Sequence, residues 1–218
     1  MPSLPSAFHL VIHSGYQSVF MGLYDRTKNI DTVSLDKKTV SAFLVPSLLE
    51  FLIQHEITFG DLSFIGVHSG PAPFTTLRVG ITTANGLAFA TKIPLIPVNG
   101  LETLSMLYPE YTVLLNAFCD DVYVGKKGAV SCQNIDAFLQ QESVLSQKIT
   151  YIGNGAHLHE KKIKDALGAM THIPADYPYE ASLEDIAHAA CTKWQAKKDI
   201  TDQVIPTYLK EYSAKIKV

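Results

Sequence analysis

Apolar residues follow two spacings along this chain, one typical of strands and one typical of helices. Short apolar or β-branched runs predict buried strands, and apolar positions three or four residues apart predict helices. In the first half these spacings predict strands at 8–12, 18–24, 30–35, 64–67 and 95–98, and helices at 38–54, 74–90 and 101–108. Three successive strands followed by helix–strand pairs are typical of a mixed sheet covered by helices.

The second half repeats this order more weakly. It predicts strands at 111–116, 121–126, 129–132 and 149–152, and helices at 134–141 and 156–167. Ser182 to Asp185 has the form of a capping box and begins a last helix, predicted to end near residue 198. The predicted fold class is therefore α/β, with domains at 1–108 and 109–200, each a mixed sheet flanked by helices. Residues 201–218 are predicted to form a tail. In one interpretation this tail packs back on the first domain.

The two long helices of the first half carry apolar residues on more than one side. In helix 74–90 one narrow stripe is assigned to the protein's own sheet, and it consists of Phe74, Leu77, Ile81, Ala84 and Ala88. Gly80, Thr83, Gly86 and Leu87 lie on the other side, and a glycine inside a helix costs about 1 kcal/mol relative to alanine. Helix 38–54 spreads its apolar positions over half the helical circle, although a helix packed only on its sheet needs an arc of roughly 100°. We therefore expect both helices to pack on the sheet and on a partner.

The composition and the net charge exclude several classes of protein. Hydrophobic residues make up 47% of the chain and charged residues 18%, which is enough apolar material for a core. The net charge of −3 argues against a protein that binds nucleic acid unaided. The three cysteines show no close pair, which is typical of reduced thiols in a cytoplasmic protein. No apolar run reaches the ~18 residues of a membrane span, and residues 1–7 lack the features of a signal peptide.

Three glycine-containing turns are candidates for binding a phosphate. They contain His13, Ser14 and Gly15; Gly70; and Gly153 and Gly155. Free N–H groups before a helix can hold an anion, but Pro71 and Pro73 remove two such donors after Gly70, so a stiff structural turn is the alternative there. A plain tight turn is likewise the alternative for Gly153 to Gly155. His9 and His13 lie about 13 Å apart if they sit on one strand, so they cannot share a metal ion, and we predict no metal site.

The stretch from Gly70 to Ala88 resembles a known family signature. The family pattern is Gly-Pro-Gly-Ser-Phe-Thr-Gly-Leu-Arg-Ile-Gly followed by Ala-Lys-Gly-Leu-Ala. The matching residues here are Gly70, Pro71, Phe74, Thr75, Leu77, Arg78, Gly80, Ala84, Gly86, Leu87 and Ala88. The tail from Ile205 to Lys210 is similar to the Pro-x-Tyr-Leu-Arg ending of the same family. This is the TsaB family, also called YeaZ, the non-catalytic bacterial relatives of the TsaD threonylcarbamoyl transferase.

The resemblance implies a fold, a function and partners. The fold would be that of the actin-like ATPase superfamily, with two ribonuclease-H-like domains. The chain would be a cytoplasmic scaffold that supports a TsaD-like transferase in forming N6-threonylcarbamoyladenosine next to the tRNA anticodon. A TsaE-like ATPase would join the complex, and tRNA would be bound only through it. ATP or threonylcarbamoyl-adenylate would be used by partner subunits, and this chain alone would bind no cofactor.

Helix pairs form the contact with TsaD in the family, which implies an interface on helices 38–54 and 74–90 here. The residues assigned to it are Leu44, Leu48, Phe51, Gly80, Thr83 and Leu87.

Departures from the family pattern leave alternatives open. His13 replaces the aspartate of the first phosphate loop, and Ala72 and Asn116 also differ from the family's residues. The loss of that aspartate argues against metal-assisted phosphoryl transfer. The alternatives are a divergent small-molecule kinase or ATPase of the same superfamily, and a stand-alone homodimeric interaction protein that uses the same helices on itself.

Overall fold

A computed structural model describes residues 8–144 and 148–210 of the chain. The chain divides into two compact units. The first contains the described residues up to Thr103 together with Ala181–Thr207, and the second contains Leu104–Glu180 and the described residues from Tyr208. None of the helices in the described part is long and apolar enough to span a membrane.

The first unit is built on a five-stranded mixed sheet. Its strands are β1 (Phe8–Ser14), β2 (Ser18–Asp25), β3 (Lys28–Asp36), β4 (Leu62–Gly70) and β5 (Leu95–Asn99). They lie in the order β3-β2-β1-β4-β5, in which the first three strands are antiparallel and β1, β4 and β5 are parallel. The helices are α1 (Val40–Gln54) and α2 (Phe74–Thr91), with a 3-10 turn at Phe59–Asp61. The division between the units falls within the next helix, α3 (Gly100–Leu107). This confirms the predicted elements, although β4 is longer than the apolar run 64–67 because its polar end, His68 to Gly70, pairs with β5.

The assigned stripe of α2 largely forms part of the first unit's core. Leu77, Ile81, Ala84 and Ala88 are buried there, as helical spacing predicts. Phe74 is the exception, because it lies at the first position of the helix and remains exposed, with the Arg78 guanidinium 3.8 Å above its ring.

The second unit repeats the same topology. Its strands are β6 (Thr112–Asn116), β7 (Asp121–Lys126), β8 (Ala129–Asn134), β9 (Ile149–Ile152) and β10 (Thr171–His172). They lie in the order β10-β9-β6-β7-β8, again with an antiparallel trio and two parallel neighbours. The helices are α4 (Ile135–Glu142), α5 (Asn154–Leu158) and α6 (Glu160–Leu167), followed by a 3-10 turn at Gly168–Met170. The single helix predicted at 156–167 is thus two helices, because the backbone leaves helical geometry at the buried residue His159.

The last helix, α7 (Leu183–Gln195), belongs to the first unit and not to a domain at 109–200. Its capping box is present as predicted, with Asp185 N donating to Ser182 Oγ at 3.1 Å and Ser182 N donating to Asp185 Oδ2 at 2.8 Å. The helix comes close to the sheet because the facing residues are small. A Cβ added at Gly66 would lie 2.9 Å from the Ala190 Cβ.

Residues 201–207, which we call the strap, also belong to the first unit. Thr201 exchanges two backbone hydrogen bonds with Leu95 on the outer edge of β5, at 2.8 and 3.0 Å. Val204 is buried, and its backbone N–H and carbonyl both bond to the side chain of Asn85 on α2. Thr207 N donates to the Ser69 carbonyl at 2.8 Å. The tail predicted at 201–218 is therefore divided between the units after Thr207, and residues 211–218 lie outside the described part.

Candidate functional site

The first candidate phosphate turn, His13 to Gly15, uses its polar groups internally. Ser14 lies at the end of β1, and its Oγ donates to the Thr76 carbonyl on α2 at 3.1 Å. Gly15 N donates to the Ser18 carbonyl at 2.9 Å, which closes the turn between β1 and β2. These two donors are therefore committed to the fold of the first unit.

His13 lies beside a second buried histidine, His68 on β4. The parallel register pairs Ile12 with Val67, so the next residues are neighbours, and their ring centroids are 4.8 Å apart. His68 Nδ1 lies 3.0 Å from the Ser14 carbonyl oxygen, whereas His68 Nε2 and both ring nitrogens of His13 have no partner among the described residues. Burial lowers the pKa of His13 well below its ordinary value of 6.5, and burial lowers the pKa of His68 to about 4. The pair is thus held neutral at pH 7.

The second candidate turn, at Gly70, is filled by its own unit. Gly70 has φ of +114°, which glycine adopts without strain. A Cβ there would lie 3.1 Å from Leu77 Cδ2 and 3.4 Å from the Thr207 carbonyl oxygen of the strap. This packing explains the glycine without a ligand.

The third candidate turn, Gly153 to Gly155, lies directly against β6. A Cβ on Gly155 would lie 2.7 Å from the Leu115 carbonyl carbon, and one on Gly153 would collide with the Leu114 carbonyl oxygen. Asn154 Oδ1 accepts a hydrogen bond from Asn116 N at 2.7 Å. Both glycines are therefore required for close approach of two backbones within the second unit.

Across residues 8–144 and 148–210, no three or more His, Cys, Asp or Glu side chains are placed to share a metal ion.

Four of the six residues assigned to the partner interface lie in the core of the first unit. Leu44, Leu48 and Phe51 of α1 and Gly80 of α2 are buried. A Cβ on Gly80 would lie 2.6 Å from Ser14 Oγ, so this glycine serves close packing on β1 and does not face a partner. Thr83 and Leu87 are half-buried and remain accessible on α2.

The accessible apolar surface of these helices lies on other residues. On α1, Phe43 is 54% exposed, Leu49 44% and Ile53 73%. On α2, Thr82 and Gly86 are exposed and Val79 is half-buried, and a Cβ added at Gly86 would meet no atom within 4 Å. Large apolar side chains that share one exposed helix face are typical of a surface that binds another protein. The helical spacing predicted apolar residues on more than one side of each helix, but it did not show which side faces the sheet.

Comparison with known proteins gives one consistent result. The family model described as "TsaD: tRNA N6-adenosine threonylcarbamoyltransferase" matches residues 37–218. The chain is 27% identical over 195 residues to "tRNA threonylcarbamoyladenosine biosynthesis protein TsaB" of Bacillus subtilis (strain 168), a match that covers 83% of this chain and 84% of that protein. It is 31% identical over 99 residues to TsaB of Buchnera aphidicola subsp. Schizaphis graminum, covering 41% of this chain and 46% of that protein.

Two solved structures from Pseudomonas aeruginosa share the fold. "YeaZ from Pseudomonas aeruginosa" superposes with a TM-score of 0.68 at 17% identity, covering 92% of this chain and 100% of that chain. A protein described as uncharacterized with similarity to peptidase YEAZ gives 0.71 at 18% identity, covering 94% and 100%. The two mixed five-stranded sheets and these neighbours fit the two-domain actin-like fold. Since the family model, the curated relatives and both structures agree, the chain belongs to the TsaD-related family as a TsaB/YeaZ member.

Proposed function

We propose that the chain acts in tRNA threonylcarbamoyladenosine biosynthesis as a non-catalytic subunit. It binds a TsaD-like transferase through the exposed faces of α1 and α2, in the cytoplasm. The transferase then forms N6-threonylcarbamoyladenosine next to the tRNA anticodon, and ATP or threonylcarbamoyl-adenylate is used by the transferase and a TsaE-like ATPase.

The apolar surface of α1 and α2 is the observation that carries this proposal. Val45, Leu49 and Ile53 recur every four residues and are all exposed, so they form a continuous apolar face, with the exposed Phe43 at its edge. Burying a fully exposed side chain of this kind contributes about 1.5–3 kcal/mol, and covering the exposed part of each of these side chains contributes a corresponding share of that free energy to a subunit contact.

The exposed glycine of α2 supports a helix as the partner element. Gly86 costs the isolated helix about 1 kcal/mol relative to alanine. Its side is open within the first unit, in contrast to Gly80, which packs on β1. A partner backbone that approaches Gly86 closely would offset this cost. Val79, Thr83 and Leu87 flank it with mixed small and apolar groups.

The non-catalytic role is supported by how the phosphate-turn positions are used. His13 stands where active relatives carry an aspartate, and it is held neutral beside His68 and Phe20. Ser14 Oγ and Gly15 N both donate hydrogen bonds within the first unit. The carbonyl of Thr207, in the strap, lies against Gly70. These positions therefore serve packing in this chain, while the chemistry belongs to the transferase.

Co-purification with the TsaD-like transferase of the same organism tests the proposed interface. Leu49→Arg places a charge on the apolar face of α1 and should abolish complex formation, because burying an unpaired guanidinium is costly. Its matched control is Leu158→Arg on α5, since Leu158 is also exposed, at 60%, but lies in the second unit. Both variants should keep the parental thermal stability.

The outcomes distinguish binding to the transferase from formation of a homodimer. Loss of the complex by Leu49→Arg alone, with loss of modified adenosine in the reconstituted reaction, supports the proposal. A complex that survives Leu49→Arg contradicts the interface. If the isolated chain forms a dimer that Leu49→Arg dissociates, and the transferase binds neither protein, the homodimeric alternative is favoured and the proposed partner is wrong.

A further inference from the structure

A groove of about 390 Å³ lies in the second unit, at the end of the sheet where β7 turns into β8. Its lining includes Glu110, Tyr111, Thr112, Lys126, Lys127 and Lys148. Three lysines on one groove contrast with the chain as a whole, whose net charge is −3. A local cluster of cations can attract an anion even when the net charge of the protein repels it.

One of the three cations is fixed in place by a buried carboxylate. Lys126 Nζ lies 2.8 Å from Oε1 of Glu142, which is buried, and Tyr151 Oη donates to the other oxygen of the same carboxylate at 3.0 Å. The Lys126 side chain nevertheless remains 41% exposed. Its ammonium group therefore keeps donors for a ligand while its position is held.

The other two cations are free to bind an anion. Lys127 occupies the turn with a left-handed backbone (φ +48°), and Lys148 directly precedes β9. Both are exposed, and neither makes an ion pair or side-chain hydrogen bond to the described residues. Glu110 is the opposing charge that lines the groove, so the cations outnumber the accessible anions.

One aromatic ring, that of Tyr111, lines the groove just before β6 begins. Tyr111 is half-buried, its hydroxyl lies 2.9 Å from that of Tyr177, and its ring stacks at 6.0 Å on that of Tyr108. An aromatic ring beside a groove can stack on an unpaired base, and lysines that follow a groove are typical of contacts to a sugar–phosphate backbone.

We infer that this lysine–tyrosine groove binds the backbone of tRNA. The inference rests on the proposed function, because the family's modification reaction brings tRNA to the complex. RNA is favoured over an acidic protein segment because the groove offers separate cations and an aromatic ring, with few apolar side chains on which a folded partner would dock. With two or three phosphate contacts, we expect the groove to add to tRNA binding by the complex while the isolated chain binds tRNA only weakly.

The test measures tRNA binding by the complex of this chain with its transferase, using an unmodified tRNA transcript over a salt series. The double variant Lys127→Gln/Lys148→Gln removes the two free cations. The slope of log Kobs against log salt should become shallower by about 1.4–1.8, since each phosphate contact contributes about 0.7–0.9. The matched control is Lys197→Gln/Lys198→Gln, which removes the same charge from two exposed lysines of the first unit.

Each outcome decides the inference. A shallower slope in the groove variant, with the control unchanged, supports it. Unchanged binding overturns it, and so does an equal loss in both variants, which would reflect net charge alone. If the groove variant loses co-purification with the transferase, the groove binds protein and the inference is wrong. If no complex forms at all, the proposed function fails, and the same comparison on the isolated full chain at low salt still decides whether the groove binds tRNA.

Discussion

His13 and His68 form a buried pair of bases in the first unit. The groups around them are the other ring, Phe20, the carbonyl of Ser14 and the backbone of Gly70, and no carboxylate contributes to the pKa shift of either residue. Desolvation therefore dominates the pKa of both residues, although the backbone hydrogen bonds of His68 to Ser14 and Gly70 offset it in part, and the site favours the neutral form of each ring.

The first unit should lose stability as the pH falls. The folded pKa of His68, about 4, lies below its ordinary value of 6.5, so between these values the unfolded chain binds a proton that the folded chain does not. Stability is complete above pH 6.5, decreases as the pH falls toward 4, and changes no further below that for this group. The difference corresponds to about 3 kcal/mol for His68. Urea unfolding between pH 7.5 and pH 4.5 measures it.

His13→Leu separates this effect from general acid unfolding. Leucine is similar in volume and does not ionise, and the His13 ring nitrogens lose no partner within the described residues. Unfolding free energy at pH 7.5 should change by about 1 kcal/mol or less, as for other volume-conserving exchanges. The decrease between pH 7.5 and 4.5 should become smaller. The same exchange at exposed His172 is the control, and an equal decrease in parental protein and His13→Leu would contradict the account.

The pairing of these histidines is not visible in the sequence, because the residues are 55 positions apart and meet only through the parallel register of β1 and β4. Both strands are predictable from their apolar runs. Their register is not, since β2, β3 and α1 lie between them in the chain and the packing of these elements determines how the two strands align. The sequence therefore showed that His13 replaces the family's aspartate, but it did not show that His68 lies beside His13.

At the scale of the element, α2 contains two glycines with opposite surroundings. Gly80 packs on β1 near Ser14, whereas Gly86 faces open space. Gly86→Ala should stabilise the isolated chain by up to about 1 kcal/mol, because alanine is the better helix former. Gly80→Ala should destabilise it by about 1–3 kcal/mol, because the new methyl group displaces Ser14 Oγ from its bond to Thr76. Thermal melting of the two variants should therefore shift in opposite directions.

The same two glycine variants also test the proposed interface with the transferase. If a partner helix approaches α2 at Gly86, then Gly86→Ala should weaken transferase binding although it stabilises the chain. A stabilised variant with unchanged affinity would place the closest helix contact elsewhere on α1 or α2. Stabilisation by both alanines would contradict the packing of Gly80 on β1.

The bounds of α1 and α2 follow closely from helical spacing, but the inward face of α1 does not. Leu44, Leu48 and Phe51 form one apolar stripe, and Val45, Leu49 and Ile53 form another. A wheel shows two apolar stripes and gives no sign of which one the sheet covers. That choice is made by the fit of α1 against β3 and α2, which involves residues distant in the sequence.

At the scale of the whole molecule, the chain builds the same strand order twice, and then returns to the first unit with α7 and the strap. The duplication was predictable because the order of strands and helices repeats. The return was not, because the amphipathic pattern of α7 fits either sheet. Small residues such as Gly66 and Ala190, which allow α7 to approach β4, identify its place only once they are seen together.

Truncation measures how much α7 and the strap contribute to the stability of the first unit. A chain that ends at residue 180 lacks α7, whose buried side chains are Leu183, Ile186, Ala187, Ala190 and Cys191. Burial of each large side chain contributes about 1.5–3 kcal/mol, so the loss is comparable with the ~5–15 kcal/mol that stabilises a typical domain. A chain that ends at residue 199 keeps α7 and lacks the buried Val204 and the hydrogen bonds of Thr201 and Thr207. It should remain folded and melt several degrees lower than the full chain, at about 2–4 °C per kcal/mol.

Both truncations remove Lys210, which bonds to the turn at Ala117 and Phe118 in the second unit, so their difference reports residues 181–199 alone. Hydrogen exchange at β4 and β5 should show protection in the longer truncation and none in the shorter one. Protected β4 amides in a chain that ends at residue 180 would show that the first unit folds without α7, and the assignment of this helix to its core would be wrong.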